Sequence, residues 1–247
     1  MTETSMMSGK LSVGGVFNQA FATLKAKPLF FVFTGLMLGI AHLALSRSGV
    51  NGPDPSDVSP GLALVGVLLL VVLGAISQVL AARATEGPLG TNASLDFAPA
   101  VQAALPRLPN VILTTLAIAL LFGLGLIALI LPGIFILLML CVAVPACILE
   151  DLSPIAALKR SRDLTRGNRW RLLGLVLLIG LMLIGVAVVV SLPLGLASTL
   201  PGPAGGVFSI ISSAVEGFVG VFMAVLYTHA FLDLRRCSEV RAAAPLV

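Results

Sequence analysis

Three features of the chain predict an all-α integral membrane fold. They are its apolar content, six stretches of membrane-spanning length with little or no charge, and the one-sided placement of its cations. Of 247 residues, 58% are apolar and 11% are charged, against roughly 25% charged in a soluble domain. A globular core cannot take up that excess, so most of the surface must face lipid. A span needs about 20 apolar residues, and six stretches qualify: about 29–46, 61–82, 109–131, 133–149, 171–193 and 207–231. The stretches 61–82 and 109–149 carry no charge at all.

The elements then follow in order. Before span one, Leu11-Ser12 reads as a hydrophobic staple and N-cap. After it, Val13, Val16, Phe17, Ala20, Phe21 and Leu24 recur at the spacing of one helical face, and Pro28 breaks the helix. Leu95-Asp96 opens a second such segment, with Phe97, Ala100, Val101, Ala104, Leu105 and Leu108 at the same spacing and Pro109 as its break. Leu152-Ser153 opens a third, with Pro154 at the first helical position, where a missing N–H costs nothing. Its apolar face is Ala157, Leu158, Ser161, Leu164 and Thr165. Lys159, Arg162, Asp163 and Arg166 lie opposite, and Gly167-Asn168 ends it. The run 109–149 is too long for one span, and Leu131-Pro132-Gly133 divides it as a tight turn. One kinked helix with a re-entrant piece is the alternative.

The chain therefore reads as a single domain, 1–247, of six membrane helices in three hairpins. An amphipathic helix precedes each hairpin, giving units 12–92, 96–151 and 153–236. Short amphipathic helices joined directly to spans are expected to lie in the membrane interface; plain connectors are the alternative. Three parallel repeats imply a pseudo-threefold arrangement about the membrane normal.

Charge sets the orientation. Fourteen of the fifteen Lys and Arg residues fall on one side of this layout, and only Arg47 falls on the other, in a loop with Asp54 and Asp57. The positive-inside rule puts both termini in the cytoplasm. The net charge of +4 follows from this topology and does not argue for nucleic acid. The polar, acidic start (Met1 to Ser8) does not read as a cleaved signal. Cys141, Cys147 and Cys237 suggest no disulfide framework, and the first two read as small packing residues.

Few residues are candidates for chemistry. Glu216 is the only acid well inside a span. A charge at mid-bilayer costs roughly 2.5–3.5 kcal/mol on the insertion scale, so such a residue is a functional candidate. Counted along span six it falls near the midplane, and His42 in span one lies at a roughly comparable depth in the outer half. A Glu–His pair could carry a proton or bind a cationic group; a protonated Glu bonded to Ser212, Ser213 or a carbonyl is the plainer reading. Gln78, Tyr227 and His229 sit near the terminal-side ends of their helices, where polar side chains are ordinary. Gly35 and Gly39 form a GxxxG, which carries little weight among 25 glycines.

Lys159, Arg160, Arg162, Arg166, Arg169 and Arg171, with Trp170, form the densest cationic stretch. Each cation near an anionic leaflet gains about 1 kcal/mol. This is the expected face for anionic headgroups or an acidic membrane partner, although retention by the positive-inside rule explains it too. Pro145 interrupts span four. A broken helix can mark a transport site or reflect packing alone. No HExxH, GxSxG, CxxC or phosphate loop is present, and no nucleophile, paired carboxylate or metal set is legible. The expectation is no catalytic residue, no metal and no cofactor.

The stretch Leu131 to Trp170 resembles the membrane domain found with some glycerophosphoryl diester phosphodiesterases and related uncharacterised multi-pass bacterial inner-membrane proteins. The residues that carry the likeness are Pro132, Gly133, Pro145, Glu150, Ala157-Leu158-Lys159-Arg160-Ser161, Leu164, Gly167 and Trp170. Tyr227 with Leu232-Asp233-Leu234-Arg235 resembles that family's closing segment less closely. The resemblance implies a bacterial inner-membrane location and no phosphodiesterase activity, since in fused members a separate soluble domain holds the catalytic His and metal-binding acids. Glu216 is outside the family pattern. The function expected is that of a non-catalytic scaffold or accessory component acting on lipids or a membrane partner through its basic cytoplasmic face. A transporter or lipid carrier with a site near Glu216 is the alternative, and an intramembrane lipid enzyme is a distant third.

Overall fold

The computed structural model of the protein describes residues 11–46, 59–86, 102, 104–128, 130–198 and 203–243. Among them every regular element is a helix. In chain order these are α1 (Val13–Ala26), α2 (Pro28–Ser46), α3 (Pro60–Glu86), α4 (Leu108–Ala128), α5 (Ile130–Leu140), α6 (Ala143–Leu149), α7 (Pro154–Thr165), α8 (Arg169–Val186), α9 (Leu192–Ser198) and α10 (Pro203–Ala243). A 3-10 turn (Leu105–Arg107) leads into α4. A π turn (Ala187–Ser191) joins α8 to α9, where Pro193 has no N–H for the Val189 carbonyl.

Six helical stretches are long and apolar enough to cross a membrane: 28–45, 60–85, 105–127, 132–149, 169–194 and 204–240. The protein is an all-α, multi-pass membrane protein. The first five stretches lie within a few residues of the spans read from the sequence. The last belongs to a 41-residue helix, roughly 60 Å long, which continues well past its apolar run.

The boundaries correct three local expectations. Pro109 breaks nothing: the 3-10 turn runs straight into α4, with Pro109 as its second residue. Leu131-Pro132-Gly133 is not the turn itself but lies in the first turn of α5. First-turn N–H groups have no intrahelical partner, so proline is tolerated at both places. The chain reverses just before it, close enough that a β-carbon on Gly125 would stand 2.9 Å from the Gly133 Cα. Ser153 precedes α7 but its hydroxyl caps nothing, whereas Ser12 Oγ accepts from Gly15 N at 3.2 Å. Span four is broken as Pro145 suggested, at 141–142 between α5 and α6.

The amphipathic segments fare differently. In α1, Val16 and Ala20 are buried as expected, but Thr23 is buried too and Phe21 is 51% exposed. The face is rotated because α1 packs on α10, where Thr23 Oγ1 meets His229 Nε2 at 2.9 Å. In α7 the buried set is Ala157, Ser161, Leu164 and Thr165, with Lys159, Arg162, Asp163 and Arg166 exposed. Most of the second segment, 96–103, lies outside the described residues, as do Lys10, Arg47, Asp54 and Asp57.

The tightest helix contact is between α2 and α10. Gly35 faces the ring of Phe218, Gly39 faces the Ser213 carbonyl at 2.9 Å from a would-be β-carbon, and a β-carbon on Gly217 would strike the Gly35 oxygen. The GxxxG is thus in use, with a glycine opposite it that lets two backbones meet. Packed around this seam are Phe31, Leu38, Val221, Val225 and Leu226.

Candidate functional site

The structure brings together the two intramembrane polar residues. His42 on α2 and Glu216 on α10 meet at 3.1 Å, Nδ1 to Oε2, with side chains 28% and 47% exposed. The Ser212 hydroxyl donates to the Ser209 carbonyl at 3.0 Å. His42 is four residues before Ser46 in α2, and Glu216 is thirteen residues after Pro203 in α10.

A layer of packing lies one turn closer to the chain termini. Leu38 is four residues before His42, and Gly220 is four after Glu216. Leu38 Cδ2 sits 2.7 Å from where a Gly220 β-carbon would stand, and its Cδ1 lies 4.0 Å from that of Gly74. Beyond this layer is a cavity of about 270 Å3 between α3, α4, α5–α6 and α10. Its polar lining includes Gln78, Thr115, Tyr227 and Thr228, and its wall includes Cys141 and Pro145 at the break in span four. Gly220 lines it but Glu216 does not, so the cavity and the pair are separate. Cys147 is buried, as a packing residue should be, but Cys141 faces this open volume. His229 takes no part; it is bonded to Thr23, which joins α1 to α10.

The basic stretch is divided by function. Arg160 grips Glu150 with two parallel bonds, Nε to Oε2 at 2.8 Å and Nη2 to Oε1 at 3.0 Å. That fork raises the guanidinium pKa above its ordinary value. Arg171 donates to the Leu11 carbonyl at 2.8 Å, while Asn168 Oδ1 accepts from Leu11 N at 3.5 Å. Arg169 lies over the Phe135 ring at 4.8 Å, and Arg166 reaches Asp163 at 4.0 Å. Trp170 is 86% exposed. Lys159 and Arg162 are exposed and rim a groove of about 250 Å3, whose floor is Leu121, Ile136, Met139, Leu140 and Leu158 from α4, α5 and α7. Among the described residues, Arg160, Arg169 and Arg171 thus make polar or ring contacts within the fold, while Lys159 and Arg162 do not.

The motif residues fall at the two ends of span four, Pro132 and Gly133 at its start and the others from its break onward. Gly133 packs against Leu126 N, and Pro145 sits in α6 just past the break. Glu150 holds Arg160. Ser161 Oγ donates to the Met139 carbonyl at 2.7 Å, near the end of α5. Gly167 has φ 83°, a conformation that favours glycine. Asp151, at φ 48°, takes two hydrogen bonds from Arg107, one of 2.9 Å from Nη2. Chiefly through that hydrogen bonding, its carboxyl is held below the usual carboxylate range. Sequence reasoning missed Leu38, Gly74 and Gly220. The available signal was the four-residue spacing from His42, Gln78 and Glu216.

Among the described residues no three His, Cys, Asp or Glu side chains gather as a metal site. Residues 32–234 match a family model described as a domain of unknown function. That description does not name a glycerophosphoryl diester phosphodiesterase membrane domain, so membership of the coarser family is what the match shows. No curated protein and no solved structure matches the chain.

Proposed function

The chain belongs to the family of that domain of unknown function, DUF7847, and on this premise we propose that it is a non-catalytic membrane scaffold or accessory protein that holds anionic lipid against its basic face. The observation that carries this reading is the groove under Lys159 and Arg162. Neither side chain has an ion pair or hydrogen bond among the described residues, and beneath both lies an aliphatic floor. Free cations over an apolar floor complement an amphiphile with an anionic head: ammonium and guanidinium donors take the phosphate, and aliphatic side chains take the acyl chain. The one-sided cation distribution supports a cytoplasmic position for this face and both termini, and a bacterial inner membrane is the location this reading takes. The likeness of Leu131 to Trp170 to the membrane domain of phosphodiesterase fusions agrees with a lipid-facing role without catalysis, and a membrane-protein partner on the same face fits this reading as well.

The test is purification from native membranes in mild detergent, with mass spectrometry of lipids and proteins. Anionic phospholipid should be enriched on the wild type and lost from Lys159→Glu/Arg162→Glu. Equal lipid content in both would sink the reading. A carrier with a site at Glu216 is the second reading, favoured by the 3.1 Å contact with His42. It requires the Leu38 layer to open. Proteoliposomes in which Glu216→Gln leaves any solute or proton flux unchanged would remove Glu216 from it.

A further inference from the structure

We propose that the cavity between α3, α4, α5–α6 and α10 is a binding site for an uncharged amphiphile, with one hydroxyl, amide or carbonyl head and an aliphatic body. This goes beyond both readings above, since neither the Lys159 groove nor the Glu216 pair contributes to it. No charged side chain lines the cavity, so a charged head would lose its water and gain no counter-charge.

The polar lining is specific. Gln78 and Tyr227 face the cavity, and neither is hydrogen-bonded to any described group. Gln78 offers two donors and an acceptor, and Tyr227 one donor and an acceptor. Thr115 and Thr228 donate to the Val111 and Ala224 carbonyls at 2.9 and 2.7 Å, which leaves acceptor capacity toward the cavity. Pro145, which has no N–H to give the Cys141 carbonyl, lines the wall beside Cys141. Polar groups held without partners in an apolar setting are unfavourable; water or a ligand head satisfies them. The remaining wall, including Ile118, Leu137, Val144 and Met223, is aliphatic. At about 270 Å3 the cavity lies just under the usual range of small-molecule sites, roughly 300–1,000 Å3. Leu38, seated on Gly220, closes the end toward Glu216.

Tyr227 is the chain's one tyrosine, so a ring-13C tyrosine label yields a single signal from the cavity wall. The full chain in detergent is titrated with 1-decanol, decane, decanoate and decylammonium. The expected result is a saturable shift with decanol and at least about tenfold weaker binding of the other three, one lost hydrogen bond to a buried polar group being roughly a tenfold effect. Gln78→Leu should weaken decanol by a similar factor, Ala224→Phe should abolish the shift by filling the cavity, and Lys159→Gln/Arg162→Gln should leave it unchanged. The proposal is overturned by no decanol shift, by an equal response to decane, or by a shift that survives Ala224→Phe. Should Ala224→Phe not fold, unchanged affinity in the nearly isosteric Gln78→Leu overturns it alone.

Discussion

At the residue scale, the charged side chains divide into those that hold the fold and those left to meet the membrane. Glu150 is bound by Arg160, and Asp151 by Arg107. The Asp151 carboxyl is depressed by its hydrogen bonds, so its stabilising effect has a definite sign. It is fully present above the unfolded value of about 3.9 and is lost as pH falls from there toward the lower folded value. The side chain is 62% exposed, and surface pairs contribute roughly 0–1 kcal/mol. The expected outcome is a small loss of melting temperature in Asp151→Asn at pH 6 that diminishes as pH falls below the unfolded carboxylate value of about 3.9. Asn tolerates the positive φ, so backbone strain does not enter. A loss that persists undiminished at low pH would show that the pair is not its origin. The sequence suggests that Glu150 and Asp151 can pair with arginine but not with which one: Arg107 and Asp151 are 44 residues apart, and a list of cations does not say which will find a partner.

At the element scale, helix ends were legible wherever a local rule acts alone. Ser12 caps α1, Pro28 starts α2, and Gly167 ends the turn before α8. Local rules failed where one residue type serves two purposes. Proline both breaks a helix and starts one, so Pro109 and Pro132 were placed in breaks although both lie in first turns. Glycine gives a sharper contrast. Gly217 meets the backbone of Gly35 and Gly39, while Gly174 has nothing within 4 Å of its would-be β-carbon. Gly217→Ala should therefore destabilise by about 1–3 kcal/mol, the usual cost of overpacking. Gly174→Ala should be neutral or stabilise by up to about 1 kcal/mol, since alanine is the better helix former. Thermal unfolding of both variants in one detergent checks the pair, and equal effects would mean that the α2–α10 seam is not tight.

At the scale of the whole molecule, the six candidate spans among the described residues and the one-sided cations predict that both ends of the chain face the cytoplasm. A C-terminal green fluorescent protein fusion should fluoresce in a bacterial host, and an alkaline phosphatase fusion at the same place should be inactive; the reverse pattern would invert the topology. Class, span positions and the single break in span four were determined by the sequence alone, because solvation by lipid acts on each segment separately and leaves its mark in composition and length. The tertiary structure alone decided the rest. It paired His42 with Glu216, placed Leu38 between that pair and the cavity, turned Gln78 and Tyr227 into one cavity wall, and left Lys159 and Arg162 over an apolar groove while their neighbours were drawn into the fold. In a membrane the apolar faces of different helices are chemically alike, so hydrophobicity does not choose which helices meet. Shape chooses, through small residues such as Gly35, Gly39 and Gly217, and shape complementarity between distant segments is not written in any one of them.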